Sequence, residues 1–187
     1  RLQTILERRS THDPLTQVLN RRGFGDVYER EKANLRRKGQ PLTLLSIDLD
    51  FFKSINDRYG HAMGDKVLAH VARIIGGALR DTDCVARFGG EEFVVLMPDM
   101  APHNALGVAE RIRTLLHEPN GHGLPPCTVS IGVACQASVL EELDQLLSRA
   151  DAALYLAKEN GRDRIECDVL SVTVVRTMSA AGSDTGR

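Results

Sequence analysis

Tryptophan is absent from these 187 residues, and aromatics are scarce: five Phe and three Tyr. A base-stacking platform for single-stranded nucleic acid needs more aromatic surface than that. Excess charge of either sign is missing too. Lys and Arg together number 24 against 25 Asp and Glu, a formal charge of −1. Such a chain lacks the concentrated positive field that binds a nucleic-acid polymer through its backbone. No apolar run approaches the roughly 18 residues of a membrane span, and no signal peptide is visible. The four cysteines, Cys84, Cys127, Cys135 and Cys167, form no CxxC pair, and no His lies at zinc-ligand spacing from them. They read as reduced thiols of a cytoplasmic domain.

What is present is enough for one core. Hydrophobic residues make up 42% and charged residues 26%, ordinary values for a globular domain. The chain opens on Arg1, in charged, helix-like sequence, and reads as a piece of a longer protein. Residues 1–12 place Leu2, Ile5 and Leu6 on a narrow stripe, as at the end of an upstream linker helix. Residues 13–168 read as the domain, and residues 169–187 as a C-terminal extension, disordered in part from Ser179 on. Within the extension, VLSVTVV (169–175) has strand composition but no evident place in the fold.

Asp13-Pro14 suits a helix start, with Asp as N-cap and Pro in the first turn. Residues 21–38 predict an amphipathic helix that stops near Gly39 and Pro41. LTLLSIDL (42–49) is almost continuously apolar and predicts a central strand. A helix is expected from about Phe51 to Arg58, with Asp50 as its N-cap. A loop is expected over residues 59–64. Helical spacing follows from Asp65 through Val67, Leu68, Val71, Ile74, Ile75, Ala78 and Leu79. Residues 84–88 and 91–97 read as strands joined by a Gly89-Gly90 turn. A helix over 103–117, a loop over 118–126, a strand over 128–134, a helix over 139–160 stopped by Gly161 and a short strand over 164–167 complete the order. This pattern predicts an α/β (α+β) sandwich: a ferredoxin-like βαββαβ core, palm-type, with a central antiparallel sheet and added helices.

Asp48 and Asp50 stand two apart at the end of the apolar strand, where a carboxylate is costly unless paired or metal-bound. Glu91 and Glu92 follow the Gly-Gly turn directly. If strand and hairpin are neighbours, Asp48 and one Glu meet at the sheet edge and offer oxygen ligands suited to Mg²⁺. Taken singly, each acid is better read as a cap or a surface charge. The segments DPLTQVLNRRGF (13–24), DLDFFKSINDRYGHAMGD (48–65), RFGGEEF (87–93), TVSIGVA (128–134) and ADAALYLAKENGRDR (150–164) resemble, in order and spacing, the GGDEF domains of bacterial signalling, the diguanylate cyclases. GGEEF is the common active variant of the signature.

The resemblance implies a diguanylate cyclase that condenses two GTP into cyclic di-GMP and two pyrophosphates. It implies two divalent ions per active site, Mg²⁺ or Mn²⁺, on Asp48, Glu91 and the backbone carbonyl of Leu49. Glu92 would support the metals, assist deprotonation, or serve as an ion-paired structural carboxylate. Phe51 and Phe52 would offer helix N-terminal amides to phosphate, with Lys53 in the same turn. Lys158 and Arg162 match the family's phosphate-contacting pair; the same positions suit a helix C-terminus. Asn56 and Asp65 match the guanine-reading residues, and His61 would line the base pocket. A carboxylate at Asp65 accepts from guanine N1–H and the 2-amino group together, a donor pair adenine lacks. Its structural alternative is an N-cap for a helix beginning at Lys66. Arg80 and Asp83 form the RxxD pattern of a product-inhibition site. The resemblance also implies catalysis by a homodimer of GTP-loaded domains, driven by an upstream sensory domain. Two competitors remain at this stage: a module that binds GTP or cyclic di-GMP without turnover, and a nucleotidyl cyclase closing a ring within one nucleotide.

Overall fold

The computed structural model describes residues 10–119, 123–138, 140–168 and 170–171. Most of the expected linker helix (residues 1–9) and most of the C-terminal extension lie outside them. The elements, in order, are β1 (Leu19–Asn20), α1 (Arg21–Lys38), β2 (Leu42–Leu49), α2 (Phe52–Tyr59), α3 (His61–Gly77), β3 (Cys84–Gly89), β4 (Glu92–Pro98), α4 (Pro102–His117), β5 (Val129–Cys135), α5 (Leu143–Glu159) and β6 (Ile165–Cys167). The six strands form one sheet in the order β1-β3-β4-β2-β5-β6. The inner four are antiparallel, and the outer two, β1 on β3 and β6 on β5, are parallel. Strands β3-β4-β2-β5, with α3 and α4 as crossovers, are the expected βαββαβ core. β1, β6, α1, α2 and α5 are the additions.

Both sheet faces are covered, which explains why β2 is buried at every position. Its odd members, Leu45, Ile47 and Leu49, join Val67, Val71 and Ile75 of α3 and Ala105, Ala109 and Ile112 of α4. Leu42 and Leu44 face the other way, into Phe24 and Tyr28 of α1 and Leu146, Leu147 and Ala150 of α5. This period of two puts Ser46 and Asp48 on the α5 side. Ser46 Oγ donates to Asp151 of α5 at 2.6 Å. α5 lies very close to β5 at Gly132, where any Cβ would meet the backbone of Ala150 and Leu154.

Four local expectations are corrected. Asp13-Pro14 opens a turn, not a helix: the Asp13 carboxylate accepts from the amide and hydroxyl of Thr16 at 2.8 and 2.7 Å. The helix begins later, where the side-chain oxygen of Asn20 accepts from the amide of Gly23 at 3.0 Å. Asp50 does not cap α2, whose N-cap is Phe51, in the left-handed region at φ 55°. α3 starts at His61, after Gly60 at φ 85°, so the expected loop over residues 59–64 is mostly helix. The hairpin turn is Gly90-Glu91, because Gly89 still pairs with Glu92.

In the extension, Leu170 and Ser171 are helical, not extended. Ser171 is buried, and its hydroxyl accepts from the amide of Cys135 at 2.8 Å. Asp168 takes an ion pair from Arg149 at 2.8 Å, which anchors this end of the chain to α5. The rest of the VLSVTVV stretch lies outside the described residues.

Candidate active site at the end of the sheet

The register of β2 against β4 sets Asp48 opposite Glu92, and that of β2 against β5 sets it opposite Ser130. The amide of Leu49 donates to the carbonyl of Glu91 at 3.4 Å, so the hairpin turn sits on the end of β2. Asp48 is 5% exposed. Burial raises its carboxyl above the usual range, Lys158 works against that, and Glu91 and Glu92 reinforce it. Lys158, near the end of α5, places Nζ 2.9 Å from Asp48 Oδ1. Asp48 and Lys158 thus meet at this corner, with Glu91 and Glu92 on the adjoining hairpin. The excess of negative charge and the all-oxygen donor set suit a hard divalent cation. Among the described residues no three acidic, His or Cys side chains converge on one point.

Arg87 shapes the turn, and nothing in a local reading of the sequence singles it out. Its Nε and Nη2 donate to the carbonyl of Gly90 at 3.0 and 2.7 Å. Its Nη1 reaches the Asp13 carboxylate at 3.2 Å. The two residues sit inside the DPLT and RFGG segments, which was the available signal.

A second group lies beside α2. Asp50 is 4% exposed, and its carboxylate accepts three hydrogen bonds. They come from Thr128 Oγ1 at 2.7 Å, Ser130 Oγ at 2.7 Å and the amide of Asp163 at 3.0 Å. Arg162 lies with its guanidinium 4.8 Å from the centre of the Phe51 ring, which is itself 64% exposed. Phe52 points inward, and Lys53 pairs on the surface with Asp57 at 2.7 Å.

α2 and α3 meet where Gly64 faces Asn56; a Cβ at Gly64 would fall 1.9 Å from Asn56 Oδ1. That oxygen is buried and has no hydrogen-bond partner among the described residues. Asp65, the next residue along, is exposed within α3. It lies past the first turn and caps nothing, so the structural alternative for it falls. His61 is exposed in the first turn.

Arg80 and Asp83 are at the far end of β3 from the hairpin turn. Six strand residues separate them from it, roughly 20 Å at about 3.3 Å per residue. Asp83 Oδ2 accepts from the amide of Arg80 at 3.0 Å, while Oδ1 is buried without a partner among the described residues. Burial raises the Asp83 carboxyl, against the pull of Arg80 and Arg111. The Arg80 guanidinium turns to Met100 Sδ at 3.7 Å, and among the described residues no carboxylate pairs with it.

Residues 10–164 match the family described as "Diguanylate cyclase, GGDEF domain", and the chain belongs to that family. Diguanylate cyclase DgcM of Escherichia coli K12 is 45% identical over 165 residues, covering 88% of this chain and 40% of DgcM. Diguanylate cyclase DosC of the same strain is 38% identical over 174 residues, 88% of this chain and 37% of DosC. The chain therefore spans about two fifths of the length of these relatives. Among solved structures, the coiled coil and GGDEF domain of DgcB from Caulobacter crescentus, in complex with c-di-GMP, has a TM-score of 0.80 at 34% identity. That match covers 89% of this chain and 92% of the other. Diguanylate cyclase SiaD of Pseudomonas aeruginosa, in complex with its activator SiaC, has a TM-score of 0.81 at 38% identity, over 89% of this chain and 65% of the other.

Proposed function

We propose that this domain is an active diguanylate cyclase: two GTP give cyclic di-GMP and two pyrophosphates. The observation that carries the reading is the buried Asp48 carboxylate, held between the Glu91 turn and Lys158 at the end of the sheet. Asp48, the carbonyl of Leu49 and Glu91 would hold Mg²⁺ or Mn²⁺, two ions per site, with phosphate oxygens completing the shell. Such ions supply charge neutralisation as a 3′-hydroxyl attacks an α-phosphate.

This chain's own residues do the positioning. Arg87 fixes the turn that presents Glu91 and Glu92. Glu92, exposed at the turn, stands where it can hold a proton of the attacking hydroxyl or support the metal corner. Lys158 and Arg162 take the phosphates, with Lys53 and the amides of the N-cap Phe51 and of Phe52 beside them. Asn56, whose Oδ1 has no hydrogen-bond partner among the described residues, and Asp65 read guanine, and His61 lines the base pocket. GTP is preferred because the Asp65 carboxylate matches guanine's paired donors.

Each domain presents one GTP, so two domains must face each other for both ester bonds to form. An upstream sensory segment in the parent protein would control that meeting. Arg80 and Asp83 form a product-binding site distinct from the GTP site; among the described residues Asp83 Oδ1 has no hydrogen-bond partner and the Arg80 guanidinium, 3.7 Å from Met100 Sδ, pairs with no carboxylate, so it can grip a guanine edge. The domain works in the cytoplasm, where its four free cysteines stay reduced.

The test is incubation with GTP and Mg²⁺ across a range of protein concentrations, with products identified by mass. Cyclic di-GMP, with specific activity rising with protein concentration, is expected. Bound but unreacted GTP would make this a holding module, and cyclic GMP would make it an intramolecular cyclase. Concentration-independent turnover by a monomer would remove the two-domain mechanism.

A further inference from the structure

The chain leaves α5 through an unusual corner. Gly161, Arg162 and Asp163 follow one another at φ 116°, 61° and 46°. Glycine adopts such angles freely, but two consecutive non-glycine residues there are strained and persist only when their surroundings over-determine them. The surroundings do so. The amide of Arg162 donates to the carbonyl of Ala157 at 3.0 Å, and that of Asp163 to the buried Asp50 carboxylate at 3.0 Å. The Asp163 side chain is gripped from α4, by Arg113 Nη1 at 3.0 Å and His117 Nε2 at 2.9 Å. Arg113 is held in turn by Glu110 at 2.7 Å.

The result of this corner is the direction of one side chain. With its backbone in the left-handed region, Arg162 lies across the Phe51 ring, over the start of α2, and it follows Lys158, the partner of Asp48, by four residues. Without the grip on Asp163, the corner relaxes toward ordinary angles and the guanidinium loses its seat. We propose that Asp163, anchored by Arg113 and His117 and seated on Asp50, is a positioning residue that aims Arg162 at the substrate phosphates. This rests on the reading of Lys158 and Arg162 as phosphate-binding cations. It adds α4, which lies on the opposite face of the sheet from α5, to the machinery that binds the nucleotide.

The experiment measures binding of a GTP analogue with an α,β-methylene bridge, which cannot be condensed, in Mg²⁺, alongside GTP kinetics. Asp163→Ala is expected to weaken the analogue by about tenfold, the size of one lost charge-assisted contact. KM for GTP should rise in parallel, with kcat changed much less. Asp163→Asn keeps an acceptor for Arg113 and His117 and should stay within about threefold of wild type. If Asp163 acts through Arg162, the double variant Arg162→Ala/Asp163→Ala binds no more weakly than Arg162→Ala alone. Amide hydrogen exchange without nucleotide should quicken at Arg162 and Asp163 in Asp163→Ala. Wild-type affinity in Asp163→Ala, or full additivity in the double variant, would overturn the positioning role while leaving the proposed function intact. Failure of the wild type to bind the analogue at all would overturn both, whatever the exchange rates show.

Discussion

Replacing Gly132 by Ala tests how closely the active corner depends on one packing distance. Gly132 lies in the middle of β5, on the face that meets α5. A Cβ there would sit 2.0 Å from the carbonyl oxygen of Ala150, 2.3 Å from the amide nitrogen of Leu154 and 2.9 Å from its Cα. All three are backbone atoms, so no side chain can swing away. To restore an ordinary contact of 3.4 Å from 2.0 Å, the helix must retreat by 1.4 Å. Overpacking of this kind costs about 1–3 kcal/mol, and in a domain of this size that lowers Tm by roughly 3–10 °C. The retreat also carries Lys158, one turn beyond Leu154, away from Asp48, where Nζ now stands at 2.9 Å. Turnover should therefore fall by on the order of tenfold, more than the stability loss alone explains, since most molecules remain folded. Gly107→Ala is the control. Gly107 is exposed within α4 with nothing within 4 Å of a Cβ, and the change should be neutral or stabilise by up to about 1 kcal/mol. The assay pairs thermal melts with GTP turnover at 25 °C. A Gly132→Ala protein with the melting temperature and turnover of wild type would refute the argument from close packing.

Four further outcomes are expected. Glu91→Gln should abolish turnover with an unchanged melting curve, because an anionic ligand disappears while its shape stays; near-normal activity would exclude Glu91 as a metal ligand. Asp65→Ser should narrow the preference for GTP over ATP, since the acceptor for guanine's donors is gone and no cap is lost with it; unchanged selectivity would remove Asp65 from the base pocket. Arg80→Ala should relieve inhibition by cyclic di-GMP while sparing most of the basal rate, and in wild type that inhibition should not be overcome by GTP; equal inhibition in both proteins would refute the product site. Burial raises the Asp163 carboxyl, but His117 and Arg113 together outweigh it and hold the group below its ordinary value of 3.8. A carboxylate with a depressed folded value contributes stability that is present above 3.8 and lost as pH falls through the folded value. Asp163→Asn should therefore flatten the acid end of the stability curve below about pH 4, measured by urea unfolding; an identical acid limb would contradict the assignment.

The strands and helices were legible because their signals are local. A continuous apolar run at residues 42–49 announced a strand covered on both faces, and helical spacing drew α3, α4 and α5. Errors fell where one residue had two local uses. Asp50 precedes a helix and so reads as a cap, but three donors, Thr128 just before β5, Ser130 within it and the Asp163 amide, outbid the first-turn amides of α2. Asp65 was given the same alternative because Gly60 and Gly64 made residues 59–64 look like loop. Gly64 is glycine for a different reason: it lets α3 approach Asn56. The site residues were visible in the ordered motifs; Asp13, Arg87 and Asp163 lie inside those motifs too, but nothing local marks Asp13 as the partner of Arg87, or Arg113 and His117 as the partners of Asp163.

By itself the sequence determined the order of the main elements, the two apolar faces of the sheet and the family. Those follow from side-chain periodicity and from motifs, each encoded within a few residues. Only the tertiary structure decided which charges meet. The strand order β3-β4-β2-β5 brings the hairpin turn against Asp48, and the close seat of α5 on Gly132 delivers Lys158 to the same carboxylate. It also decided that Asp50 faces Ser130 and Thr128 instead of its own helix, and that α4 reaches the corner bearing Arg162. A carboxylate pairs with whichever donor the fold places within about 3 Å after water is excluded. That choice is made between residues far apart in the chain, and it exists only once the sheet has closed.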